Sequence, residues 1–107
     1  MDLIKNEYQV IIERKNEKAE GSYTAYLFEQ GIDKILKKVG EECTEMVIAA
    51  KNNDKEETVY EITDLIYHTL VMMANQGITP EDIEAELEKR AAKRGNLKKF
   101  HQVDKNS

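Results

Sequence analysis

Proline, cysteine and tryptophan are almost missing from this chain: it has one proline, one cysteine and no tryptophan in 107 residues. A lone Cys43 excludes an internal disulfide and suits a reducing, cytoplasmic compartment. With a single proline, five glycines and aromatics at 7 %, little interrupts helical periodicity, and the composition favours an all-α fold. Excess positive charge is also lacking. The formal net charge is −5, which leaves no basic footprint for nucleic acid or an anionic membrane. No apolar run is long enough to cross a bilayer. Charges break up the segment Met1–Glu7, so no signal peptide is expected there. The Gly-rich phosphate cradle of the Walker type is absent. A chain of this length makes one small domain.

What is present is helical patterning. Ile4, Tyr8, Ile11 and Ile12 recur at i, i+4, i+7 and i+8 and predict a helix from residue 3 to about 17. Ser22 is placed to cap a short helix that carries Tyr26 and Leu27 and stops at Gly31. From Ile32 a second long helix carries Ile32, Ile35, Leu36, Val39, Cys43, Met46, Val47 and Ala50 on one stripe. That stripe makes Cys43 a small core residue. Asn52-Asn53-Asp54 ends this helix. The next, from about Lys55 to Gln76, is apolar on nearly every side, including Val59, Ile62, Leu65, Ile66, Leu70 and Met73. A helix of that kind needs cover on most sides, which four or five short helices of one chain supply poorly. A homodimer paired through this helix is therefore expected. Gly77 suits a left-handed stop. Thr79-Pro80-Glu81-Asp82 is a strong helix start, and the last helix is expected to run to about Arg94. The domain is expected over 1–95, followed by a polar tail at 96–107.

Chemistry enters with the acids. Glu41, Glu42 and Glu45 lie three and four residues apart, so they share a helix face. Glu57, Glu61, Asp64 and His68 make one narrow polar stripe on the otherwise apolar helix. Carboxylates in such surroundings are costly unless paired or bound to a cation. Facing one another, the two clusters would suit Mg²⁺, with Mn²⁺ an acceptable substitute, since both are hard ions that take oxygen ligands. Mg²⁺ held by a few carboxylates commonly shares its shell with substrate phosphates. Lys34, Lys38 and Lys51 are cations placed to meet those phosphates. The composite reads as phosphoanhydride hydrolysis. The alternative for these residues is a solvated face with Lys38–Glu41 and Lys38–Glu42 ion pairs. His68 on the stripe suits packing or a supporting contact better than a general base.

The motif Glu41-Glu42-x-x-Glu45 followed by Glu61-x-x-Asp64 resembles that of the MazG-like all-α nucleotide pyrophosphohydrolases. Four flanking blocks resemble, more narrowly, the phosphoribosyl-ATP pyrophosphatase family of histidine biosynthesis: Ser22–Phe28, Lys37–Glu42, Ala49–Asn52 and Asp64–His68. The resemblance spans about residues 3 to 94. It implies a cytoplasmic helical dimer and a Mg²⁺-dependent reaction, in which 1-(5-phosphoribosyl)-ATP and water give 1-(5-phosphoribosyl)-AMP and pyrophosphate. It implies that Glu42, Glu45, Glu61 and Asp64 bind metal and that Glu41 helps bind metal or orients water. Lys38 and Lys51 would contact phosphate. Cys43 stands where the family commonly has a small residue such as alanine. The cysteines and histidines of the cyclohydrolase often fused to such enzymes are absent. Two other readings fit less of the pattern: a related hydrolase of non-standard nucleoside triphosphates, and a non-catalytic dimeric helical adaptor.

Overall fold

The computed structural model describes residues 2–17 and 20–94. Five helices occur in that range: α1 Leu3–Asn16, α2 Tyr23–Gln30, α3 Ile32–Lys51, α4 Lys55–Gln76 and α5 Pro80–Ala92. No strand occurs among the described residues, as the low proline and glycine content leads one to expect. The expected tail at 96–107 lies outside them.

Four of the five helix starts have a side-chain cap. Asp2, Ser22, Asp54 and Thr79 cap the starts of α1, α2, α4 and α5, each accepting a backbone N–H with its side chain. At α5 the cap is reciprocal: the Asp82 carboxylate also accepts from the Thr79 N–H, as in a capping box. Gly77 ends α4 at φ 74° and ψ 23°, a left-handed position that costs glycine nothing. Asn53 turns the chain between α3 and α4 at φ 54°, a conformation asparagine tolerates better than most residues.

The helices α3 and α4 form an antiparallel hairpin and make the most extensive packing in the molecule. The helix α1 lies against α4 and α2, and α2 closes against α3. Ile11, Leu27, Ile35 and Val71 are fully buried, with Leu70, Met73 and Ala74 around them. Burying each large side chain contributes about 1.5–3 kcal/mol. Two polar ties reinforce this core: the Tyr8 hydroxyl donates to the Ile78 carbonyl at 2.8 Å, and the Lys15 ammonium to that of Ala74 at 2.9 Å. The helix α5 packs against α1, where Lys5 meets Glu81 and Glu84.

The long apolar stripe of α3 is divided. Ile35 is buried, while Leu36 is 43 % exposed, Val47 56 % exposed, and Cys43 exposed as well. Placing Cys43 in the core of the chain is thus corrected. The core-facing side of α3 runs through Ile35, Glu42 and Ala49, so Cys43 projects from the flank. The flank continues onto α4, where Val59, Ile62 and Ile66 are uncovered at spacings that place them on one face. Ala50 and Val59 line one shallow depression, so the stripes of the two helices adjoin. Among the described residues no helix is long and apolar enough to cross a membrane.

Candidate active site

Between α3 and α4, on the side away from the uncovered flank, carboxylates meet. Glu42, Glu45 and Glu61 each offer an oxygen, and these oxygens lie within 4.8 Å of one another. Glu42 and Glu61 are buried, at 6 % and 8 % exposure, and Glu45 is open to solvent. One oxygen of Glu42 and one of Glu61 are buried without a hydrogen-bond partner. An unpaired buried carboxylate oxygen is costly, so each of these atoms lacks something to bind.

The electrostatics agree. Burial pushes the Glu61 carboxyl up to about 7, reinforced by the charge of Glu45 and by hydrogen bonding to Glu42. Burial also raises Glu42, with contributions from Glu45 and Asp64. Among the contributions to Glu42, the one that lowers it is its hydrogen bond with Glu61. Without a cation the crowding therefore favours the protonated form of both carboxyls. A divalent ion fits this donor set: three convergent carboxylates, two with free oxygens, and no soft ligand.

The remaining expected residues fall around this centre. Asp64, one turn beyond Glu61, is half-buried and near enough to raise both Glu42 and Tyr23, but it stands outside the closest trio. Lys38, one turn before Glu42, lies 3.5 Å from Glu42 and 3.4 Å from Glu41. The ion pairs read from spacing are thus formed. Burial works against the Lys38 ammonium, but Tyr23, Glu41 and Glu42 outweigh it and hold its pKa above the ordinary value. Glu41 faces outward and meets Lys38, not the trio. Lys51 is exposed in the last turn of α3, beyond Glu45. Lys34 lies a turn before Lys38 on the same helix.

Behind the acids lies a layer of aromatic and hydroxyl groups; the supporting role expected of His68 is met there, while its partners were not foreseen from sequence. His68 is 4 % exposed. Its Nδ1 donates to the Asp64 carbonyl at 2.8 Å, and its Nε2 lies 3.1 Å from the Tyr23 hydroxyl. Thr24 hydrogen-bonds the Tyr67 hydroxyl. The Tyr23 ring is stacked between Tyr67 at 6.3 Å and Tyr26 at 6.2 Å. The start of α2 is thus pinned to α4 by two side-chain bonds. The signal available in sequence was the polar stripe that places His68 in register with Asp64. Its partner, 45 positions away, was not visible. An open groove of about 920 Å³ runs along the other side of α2, lined by Arg14, Ser22, Tyr26 and Phe28 among others. It meets the acid side at Tyr23.

Known proteins resemble this chain over most of its length. The family described as phosphoribosyl-ATP pyrophosphohydrolase matches residues 5–91. The chain is 53 % identical over 98 residues to a phosphoribosyl-ATP pyrophosphatase of Clostridium novyi, covering 92 % of this chain and 89 % of that one. A protein of the same name from Clostridium acetobutylicum is 57 % identical over 97 residues, covering 91 % and 88 %. The histidine biosynthesis bifunctional protein HisIE of Oceanobacillus iheyensis is 62 % identical over 80 residues, which are 75 % of this chain and 37 % of that protein.

Proposed function

Since the chain belongs to the phosphoribosyl-ATP pyrophosphohydrolase family, we propose that it hydrolyses 1-(5-phosphoribosyl)-ATP to 1-(5-phosphoribosyl)-AMP and pyrophosphate, a cytoplasmic step of histidine biosynthesis. The observation that carries the chemistry is the trio Glu42, Glu45 and Glu61 with its two unpartnered buried oxygens.

The trio would hold Mg²⁺, or Mn²⁺ in its place, with Asp64 joining from the next turn. A bound divalent cation supplies charge neutralisation at the phosphate oxygens and lowers the pKa of a bound water. The chain's own groups do the rest. Lys38 turns from Glu41 and Glu42 to meet a phosphate oxygen, a charge-assisted bond stronger than a neutral one. Glu41, released from Lys38, is then free to accept a proton from water. Lys51 lies on the same helix for a more distant phosphate contact. Low solvent access at Glu42 and Glu61 strengthens each of these interactions.

The active form is a homodimer. Leu36, Cys43 and Val47 on α3 adjoin Val59, Ile62 and Ile66 on α4, and all are uncovered in one chain. A contiguous apolar face of that kind marks an interaction surface. A second copy covers it by stacking hairpin on hairpin about a two-fold axis. The acids lie on the same two helices, on the side that this pairing leaves open to substrate.

The test is pyrophosphate release with phosphoribosyl-ATP beside a panel of ordinary and non-standard nucleoside triphosphates, with Mg²⁺ and with chelator. Selective, Mg²⁺-dependent turnover of phosphoribosyl-ATP is expected. Preference for a non-standard triphosphate would point to the related hydrolase, and an inert protein with unchanged stability in Mg²⁺ would point to an adaptor.

A further inference from the structure

The Tyr23 hydroxyl has a hydrogen-bonding role fixed from behind. The Asp64 carbonyl can only accept, so His68 Nδ1 carries the proton in their 2.8 Å bond. In neutral imidazole the other nitrogen is then an acceptor. The 3.1 Å contact at Nε2 is therefore donated by Tyr23. A phenol has one proton to give. With it committed to His68, Tyr23 presents only lone pairs to whatever lies in front of it.

The ring stands at a boundary. It is 45 % exposed, and its stacking partner Tyr26 is 43 % exposed. Glu42, Asp64 and Lys38 are near enough to act on its hydroxyl electrostatically. An acceptor-only oxygen suits a neutral donor and disfavours a phosphate oxygen. The Tyr23 hydroxyl lies beside the acids, through His68 and the Asp64 carbonyl. In a nucleotide the group next to the phosphates that donates without charge is the ribose.

We propose that Tyr23 is a specificity residue that accepts a hydrogen bond from a hydroxyl of the ribose attached to the triphosphate, and that His68 is a positioning residue that fixes Tyr23 in the accepting orientation. This rests on the function proposed above. Tyr26 extends the aromatic face along which the rest of the nucleoside lies.

The experiment is a substrate–variant cycle on the full chain with Mg²⁺. Pyrophosphate release is measured with phosphoribosyl-ATP and with its 2′-deoxy and 3′-deoxy analogues at that ribose, for wild type and for Tyr23→Phe, which keeps the ring. Tyr23→Phe is expected to lose about tenfold in kcat/KM on phosphoribosyl-ATP, mainly through KM, the size of one good hydrogen bond. On one of the two deoxy analogues it should lose less than about twofold, because the bond is already gone. His68→Leu should blur the same discrimination. His68→Gln, whose amide oxygen can still accept from Tyr23, should restore part of it, which a purely structural histidine would not do. Equal losses on all three substrates overturn the ribose contact. Matching behaviour of His68→Leu and His68→Gln overturns the positioning role. Wild-type protein inert toward phosphoribosyl-ATP overturns the proposed function and this inference together, whereas an active wild type with a null cycle overturns this inference alone.

Discussion

Magnesium binding should expel a proton, and the pH at which it does so is set by Glu61. Burial and the charge of Glu45 push this carboxyl up to about 7 in the metal-free protein, against an ordinary carboxylate value near 4.5. A cation binds the ionised form, so the proton must leave as the ion arrives. With a pKa of about 7, Mg²⁺ should release about 0.9 proton at pH 6, about 0.5 at pH 7 and about 0.1 at pH 8. Titration calorimetry in two buffers of different ionisation enthalpy reads that number directly. Apparent Mg²⁺ affinity should rise by nearly tenfold per pH unit below 7 and level off above it. The same shift governs metal-free stability. A carboxyl whose pKa is raised on folding stabilises the native state at low pH. For Glu61 that contribution is fully present below about 4.5 and is lost as pH rises through about 7. Glu61→Gln should then raise the metal-free melting temperature at pH 8 and flatten its dependence between pH 5 and 7. Proton release independent of pH from 6 to 8, or a lower melting temperature for Glu61→Gln at pH 8 without metal, would refute the crowding of these carboxylates.

Three further outcomes follow from other parts of the molecule. Glu45→Gln and Asp64→Asn should each lower kcat by on the order of a hundredfold, through lost charge stabilisation, with the far-UV circular dichroism unchanged. Ile62 is 40 % exposed, so covering it in a dimer gains about 1 kcal/mol per chain. Ile62→Lys forfeits that gain twice and buries a charge besides, so light scattering should show dissociation at concentrations at least about thirtyfold above those for wild type; a wild-type mass near 12.4 kDa at micromolar concentration with full activity would exclude the dimer. Leu27 is fully buried where α2 meets the core, so Leu27→Ala should cost about 2–5 kcal/mol in denaturant unfolding.

The sequence discloses what is local. Ser22, Thr79, Pro80 and Gly77 act within a turn of their own positions, so the helix boundaries near them follow without tertiary knowledge. The convergence of Glu42 with Glu45 and of Glu61 with Asp64 is equally local, because helical pitch alone sets it. Which stripe residue is covered was not legible. Hydropathy marks Ile35, Cys43 and Val47 alike, and only the approach angle of α4 buries the first and leaves the others out. For the same reason spacing could not separate Glu41, which faces Lys38 and solvent, from Glu45, which faces Glu61. The Tyr23–His68 and Thr24–Tyr67 bonds join residues more than 40 positions apart, and no periodicity within one helix encodes them.

The α3–α4 hairpin also bears on how the chain reaches its native state. The two helices are joined by the short turn Asn52–Asp54, so their pairing closes a small loop, whereas α1 must return across the chain to reach α4. Contacts close in sequence form sooner at a given stability, which makes the hairpin the natural folding nucleus. The crowded acids Glu42 and Glu61 sit in that nucleus, so their repulsion acts at the barrier as well as in the final structure. Magnesium or mild acid should therefore speed refolding itself, and not merely slow unfolding.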